Sequence, residues 1–594
     1  MSRIEDYALL GDLQTAALVG RDGSIDWLCL PQFDSPSCFA ALLGTPDHGR
    51  WRLAPEDAGE CTSRRYLPDT LVLETTWETD DGAVRLIDFM PPRDDVVDII
   101  RIVEGLRGEV AMEMDLALRF DYGHVVPWVR RRGGVLHAIA GPDAAYLSTA
   151  APLKGHDFRT RSSFTVREGE RVPFVLTWRP SHEPYTPRPD PEASLNRTVS
   201  FWEEWSRRCA VSGMYRDAVV RSLITLKALT FEPTGAIVAA ATTSLPESIG
   251  HERNWDYRYC WLRDATLTLQ PILATGYTDE AVAWREWLLR AVAGDPADLQ
   301  IMYSITGKRR LPEATLDWLP GYENSAPVRT GNAAAGQLQL DVWGEVLDVL
   351  ALTRNSLGSD DAWDLQTALM DHLATAWRQP DNSLWEMRGP RRHFTHSKVM
   401  AWVAADRMVK GITDSGLKGP LERWRGVRDE IREDVLANGL DPMGTHFVQS
   451  YGSTEVDAAL LLIPRVGFLP YDDPRVVGTV EAVQQELSVD GFLLRYRTSS
   501  GADGLAGDEG VFLACSFWLV TALVGIGRAE EGRKIFERLI SLRSDVGLLS
   551  EEYDPNENRQ LGNTPQAFSH FGLINAAMAL ELGTPSSDEP LAGA

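Results

Sequence analysis

The stretch Pro180-Ser181-His182-Glu183-Pro184-Tyr185-Thr186-Pro187-Arg188-Pro189-Asp190-Pro191 divides the chain into two unlike parts. Proline lacks an amide hydrogen and fixes its own φ, so this density excludes a helix interior and a central strand. The stretch reads as a linker. On its N-terminal side hydrophobicity repeats every two residues. Val110, Met112, Met114, Leu116, Leu118 and Phe120 alternate with Ala111, Glu113, Asp115, Ala117 and Arg119, the pattern of a strand with one face buried. Leu71, Leu73 and Trp77 alternate with Glu74, Thr76 and Glu78 as far as Asp80-Asp81-Gly82, which predicts a hairpin turn into 83–90. Further short strands are expected at 136–140, 145–149 and 173–178, giving an antiparallel β-sandwich over 1–190.

On the C-terminal side a helix at 192–209, carrying Trp202 and Trp205, serves as a linker within 191–212. From about residue 215 the period becomes helical. In 529–542, for example, Ile535, Leu539 and Leu542 share one face. About twelve such segments lie near 213–233, 263–275, 279–294, 335–354, 361–378, 397–410, 419–437, 454–463, 473–487, 510–526, 528–542 and 564–582. Thr564-Pro565 reads as a cap with proline at the first helical position of the last one. A bundle, a solenoid and a closed double ring of six hairpins all suit twelve helices. Repeats of fixed period are absent from the letters, and the loops 296–332 and 490–510 are long. A closed ring over 213–585, with a pit lined by those loops, fits best. Residues 586–594 read as a flexible tail.

The formal charge of -26 argues against a nucleic-acid or anionic-membrane partner. No apolar run approaches the roughly 20 residues that span a bilayer. The start Met1-Ser2-Arg3-Ile4-Glu5-Asp6-Tyr7 has no basic region followed by an apolar one, so a cytoplasmic location is expected. Six scattered cysteines suit free thiols. No zinc-type array, Walker loop or dinucleotide fingerprint occurs, and His393 and His396 have no matching acidic cluster, so neither cofactor nor metal is expected.

Three stretches place carboxylates beside large aromatics. They are Asn382-Ser383-Leu384-Trp385-Glu386-Met387-Arg388-Gly389, Leu548-Leu549-Ser550-Glu551-Glu552-Tyr553-Asp554-Pro555, and Asn254-Trp255-Asp256-Tyr257-Arg258-Tyr259-Cys260-Trp261-Leu262-Arg263-Asp264. Two glutamates beside aromatics, with a separate Arg-Asp pair, are a parts list for cutting a glycosidic bond. With Thr242-Thr243-Ser244-Leu245-Pro246-Glu247 these motifs resemble, in order and over nearly the whole chain, the glucoamylase family of glycoside hydrolases, family 15. The opening Ile4-Glu5-Asp6-Tyr7-Ala8-Leu9-Leu10-Gly11-Asp12, with Gly23-Ser24-Ile25-Asp26-Trp27-Leu28-Cys29, is similar to the bacterial branch that includes mycobacterial-type trehalases.

The resemblance implies an N-terminal antiparallel β-sandwich followed by an (α/α)6 barrel catalytic domain. It also implies an exo-acting, inverting hydrolase that releases β-glucose from a small α-glucoside, with trehalose favoured. Glucoamylase or isomaltose glucohydrolase specificity is the alternative. A non-catalytic sugar-binding regulator and a phosphorylase are the rivals of another class, and the presence of both Glu386 and Glu551 weighs against each. By motif register Glu386 is the general acid and Glu551 the general base, with Glu552 as the other candidate base. Arg263 and Asp264 resemble a clamp on the non-reducing glucose, although the same pair suits a helix start. Arg495, in Leu494-Arg495-Tyr496, resembles an arginine that contacts sugar hydroxyls. Trp261 and Trp385, like Trp255 and Trp318, offer faces for sugar stacking, although most tryptophans fill cores. Tyr322, in the long loop with Glu313 and Glu323, belongs to the expected substrate-binding set, on the leaving-group side. A homo-oligomer is compatible with the sequence.

The chemistry requires these types. The bridging oxygen must be protonated as it leaves, so one carboxyl must be neutral, and burial against an aromatic raises its pKa. The other must be ionised to activate water on the opposite face of the sugar. Room for that water sets inverting pairs roughly 6.5–9.5 Å apart.

Overall fold

The computed structural model describes residues 2–583 except 189, 358–361, 502 and 506. The expected tail at 586–594 lies outside the described residues.

The alternation at 110–120 belongs to a longer strand, Val97–Ala117. Its first half pairs antiparallel with Gly82–Phe89 and Arg171–Pro180, and its second half with Arg50–Pro55 and Arg159–Arg167. This strand thereby joins fifteen described strands into one antiparallel system. The predicted hairpin is present, with Leu73–Thr79 paired to Gly82–Phe89 across Asp80-Asp81. Where the long strand is covered on both faces, at 97–103, the period of two vanishes and Arg101 is buried. Its guanidinium is satisfied by Asp88 (2.8 and 3.1 Å) and by the carbonyls of Trp51 and Gly23 (2.7 and 2.8 Å).

The linker ends at helix α1, Pro191–Ser206, whose N-cap Asp190 accepts from the Ala193 amide at 3.1 Å, with proline at the first position. The helices that follow are α2 (Arg216–Ala228), α3 (Leu262–Ala274), α4 (Thr278–Val292), α5 (Asp341–Leu357) and α6 (Trp363–Ala376). They continue with α7 (Thr395–Thr413), α8 (Leu421–Asn438), α9 (Pro474–Leu487), α10 (Leu513–Gly525), α11 (Ala529–Ser541) and α12 (Ala567–Leu582).

Two expectations need correction. The segment at 454–463 is a short 3-10 helix, Ala458–Leu462, rather than an α-helix. All five of its residues are buried, so no polar face sets a helical period, and Pro464 blocks its extension. The last helix starts at Ala567 after Gln566, and Thr564 does not cap it. The Thr564 amide donates instead to the Thr242 hydroxyl at 3.0 Å.

The packing order is regular. Helix α3 packs on α5, α5 on α7, α7 on the 458–462 turn, that turn on α10, α10 on α12, and α12 back on α3. Helices α2, α4, α6, α8, α9 and α11 pack against members of that series. Helices α10 and α12 are apolar almost all round, as burial on every side demands, whereas α11 keeps a charged outer face. Polar contacts tie the sheet region to loops of the helical region. Trp27 donates to the Ala241 carbonyl at 2.8 Å, and Arg64 meets Asp545 at 2.6 Å.

Candidate active site

A cleft of about 690 Å3, open solvent at its mouth included, lies at the N-terminal ends of α3, α10 and α12. Arg263 and Asp264 reach it from the first turn of α3, Phe512 from just before α10, and Gln566 and Phe568 from the start of α12. Arg495 and Tyr496 come from the long 490–510 loop, and Asn332 from the end of the 296–332 loop.

Glu386 stands in a tight loop between α6 and α7. The amide of Met387 donates to the Asn382 carbonyl (2.9 Å), and Glu386 N donates to Ser383 O (3.1 Å). Glu386 has φ +59°, a left-handed conformation that costs a residue with a Cβ about 1–3 kcal/mol. The loop is braced by Trp385, whose indole donates to Asp457 at 3.1 Å, and by Asp503, whose carbonyl accepts from Arg388 N at 2.9 Å. The Glu386 side chain keeps 22% of its surface open to the cleft. Trp261 donates to its Oε1 at 2.6 Å, and Arg263 stands 3.6 Å away while also bonding Asp264 (2.9 Å) and the Leu384 carbonyl (2.6 Å). Burial pushes the Glu386 carboxyl above its ordinary range, against the pull of Arg263 and Trp261.

Glu551 is fully buried behind Tyr257, a cleft residue whose hydroxyl donates to its Oε1 at 2.6 Å. Its Oε2 accepts from the Asn563 amide at 3.3 Å. Burial first, then the neighbouring Glu247, push this carboxyl up to about 8. Gly562 makes the close approach: with φ +73°, a Cβ there would lie 2.6 Å from Glu551. Neighbouring residues of an extended chain face opposite ways. Glu552 accordingly turns to the Gly510 amide (2.8 Å) and toward Arg495 (3.7 Å). The rings of Tyr257 and Trp261 meet edge to face, centroids 5.3 Å apart, so one aromatic pair links Glu551 to Glu386.

The structure brings Glu386, Arg263, Asp264, Trp261, Trp385 and Arg495 to one cleft, with Glu551 immediately behind its wall. Tyr322 lies elsewhere. It is buried, its hydroxyl donates to the Ser2 carbonyl (3.0 Å) and accepts from Arg559 (3.0 Å), and it is not part of the cleft wall. Trp318 instead packs on His124 of the N-terminal sheet region (4.9 Å) and donates to the Tyr122 carbonyl (3.0 Å). On the cleft wall the Trp255 ring meets the guanidinium groups of Arg388 (4.1 Å) and Arg329 (4.5 Å), with Glu313 within 3.3 and 3.7 Å of the two arginines. Sequence reasoning assigned no site role to Tyr257, Glu247, Arg253 or Glu509. Tyr257 and Glu247 stand inside motifs that carried the resemblance, which was the available signal; Arg253 and Glu509 offered none.

Residues 1–192 match the family described as "Trehalase-like, N-terminal", and residues 213–578 match "Glycosyl hydrolases family 15". The chain is 39% identical to a trehalase of Mycobacterium tuberculosis, over 97% of this chain and 89% of that protein. It is 36% identical to a trehalase of Thermoplasma acidophilum, over 95% of this chain and 98% of that one. Among solved structures, a bacterial glucoamylase complexed with acarbose superposes with a TM-score of 0.71 at 13% identity, covering 98% of this chain and 94% of that one. That likeness shows a glucoamylase-like fold, with an antiparallel sheet region followed by a helical one.

Proposed function

The chain belongs to glycosyl hydrolase family 15, and from that premise we propose that it hydrolyses trehalose to two glucose molecules with inversion at the attacked carbon. The observation that carries this reading is the pair of raised carboxyls, Glu386 and Glu551, each hydrogen-bonded to one ring of the Trp261–Tyr257 pair. Glu386, partly open to the cleft and raised by burial, is the general acid that protonates the bridging oxygen. Glu551 is the general base. A base whose pKa is raised is a stronger proton acceptor once ionised, and water entering with substrate, together with the Tyr257 hydroxyl and the Asn563 amide, favours that ionised form. Arg263 and Asp264 hold the attacked glucose, and Trp261, Trp385 and Arg495 complete its site. Arg388 and Trp255 of the cleft wall, with Glu313 paired to Arg388, are assigned to the leaving glucose.

We further propose that residues 1–190 are a β-sandwich, 191–212 a linker helix and 213–585 an (α/α)6 barrel. The closed contact series of five helices and the 458–462 turn, with six helices outside it, supports the barrel. Trehalose as substrate is supported by the names of the relatives that span nearly the whole chain. The proposed compartment is the cytoplasm, which suits six unpaired thiols.

Purified protein given trehalose, maltose, isomaltose and maltotriose tests the reading. Glucose release from trehalose is expected to exceed that from the others. Preference for maltose or isomaltose would leave the mechanism standing and overturn the substrate.

A further inference from the structure

Among the described residues of the cleft wall, Glu247 is the one glutamate besides Glu386, and it is 1% exposed. Its backbone is locked where three loops meet: its amide donates to the Arg253 carbonyl (3.1 Å) and its carbonyl accepts from the Gly510 amide (3.2 Å). The carbonyl of the preceding Pro246 accepts from Gly562 N (2.8 Å), the residue packed on Glu551. One carboxylate oxygen, Oε2, is held by Arg495 at 2.9 Å, while the other, Oε1, is buried and has no hydrogen-bond partner among the described residues. Buried acceptors are usually hydrogen-bonded, and an acceptor without a partner on a residue that lines a sugar-sized cleft suits a donor that arrives with the ligand.

Glu247, Glu509 and Glu552 lie close enough together to suggest a cation site. The Arg495 guanidinium fills that position, within 2.9, 2.6 and 3.7 Å of the three. The remaining ligand chemistry for Oε1 is therefore a neutral hydroxyl donor.

We propose that Glu247 is a third functional carboxyl of this site, one that holds a hydroxyl of the bound glucose through Oε1 and tunes Glu551 from the side. This rests on the family 15 reading of the cleft. The groups facing the pair are Arg495, Arg253, Tyr257, Glu509 and Glu552 around Glu247, and Tyr257, Glu552 and Arg495 around Glu551. Among the carboxylates, Glu247 acts most strongly on Glu551 and raises it. Removing its charge therefore lets Glu551 ionise at lower pH.

The test is E247Q in the full chain, with E247D as the charge-conserving control. For E247Q, kcat/KM on trehalose is expected to fall about 10- to 100-fold, with the acid limb of its pH profile moved about 1 unit toward acid. E247D is expected to keep the limb where the wild type has it. An E247Q rate within twofold of wild type with an unmoved limb would overturn the proposal, as would an E247D limb displaced like that of E247Q. Saturation-transfer NMR with glucose, which needs no turnover, separates this inference from the hydrolytic reading. Folded E247Q is expected to give a weaker glucose signal than wild type whichever α-glucoside the wild type cleaves, and an undiminished signal would contradict the hydroxyl contact.

Discussion

Trp261 governs how readily Glu386 keeps its proton. Its indole N–H donates to Glu386 Oε1 at 2.6 Å and favours the ionised form, while burial favours the neutral one. W261F removes the donor, so the Glu386 pKa rises and the acid stays protonated to higher pH. The basic limb of the kcat/KM profile is expected to move up by about 1 pH unit; a downward move would contradict the assignment. E386Q is expected to lower kcat by about 10²–10⁴-fold. Activity requires ionised Glu551, so it rises as pH climbs through that pKa. Because Glu551 is pushed up to about 8, the acid limb is expected well above the roughly 4.3 of an ordinary glutamate. At this scale the letters were readable where partners are close in the chain. Trp261, Arg263 and Asp264 fall within one short motif, and the cleft receives all three. The Tyr257–Glu551 contact spans 294 residues, and nothing local in the sequence specifies such a pairing. Tyr322 was misplaced because a residue type says nothing of direction, and its ring turns to Ser2 and Arg559.

Among the elements, the Arg559–Leu561 strand is followed by a glycine that positions Glu551. G562A sets a Cβ 2.6 Å from the Glu551 side chain at φ +73°. We expect at least a roughly 10-fold loss of kcat, with destabilisation of about 1 kcal/mol or more, read from steady-state kinetics and urea titration. Wild-type kinetics in G562A would show that Glu551 is not held by this contact. Elements with one solvated face, such as the second half of Val97–Ala117 and helix α11, were legible because polar and apolar residues take turns. Covered segments were not. The 97–103 run and Ala458–Leu462 are buried throughout, so hydrophobicity carries no period there.

Across the whole molecule, Arg258 fastens the helical region to the sheet region. It is fully buried, pairs with Asp256 (2.9 and 2.7 Å), and donates to the Ser35 carbonyl (2.8 Å) and the Tyr122 hydroxyl (2.9 Å). R258A strands the Asp256 carboxylate and is expected to cost about 3–5 kcal/mol. Because these bonds cross between the two regions, wild-type protein is expected to melt in one calorimetric transition. Two well-separated transitions would show that the regions fold independently. The division at the proline-rich stretch was legible in composition alone, but this fastening was not, since buried arginines look like surface ones in a sequence.

The most direct measurement is the anomeric form of glucose in the first turnovers on trehalose, followed by proton NMR before mutarotation. Trehalose carries two α-linked units. Attack by water with inversion gives β-glucose from the attacked unit and α-glucose from the leaving one, so equal initial amounts of the two anomers are expected. Initial formation of α-glucose alone would contradict the inverting assignment of Glu386 and Glu551.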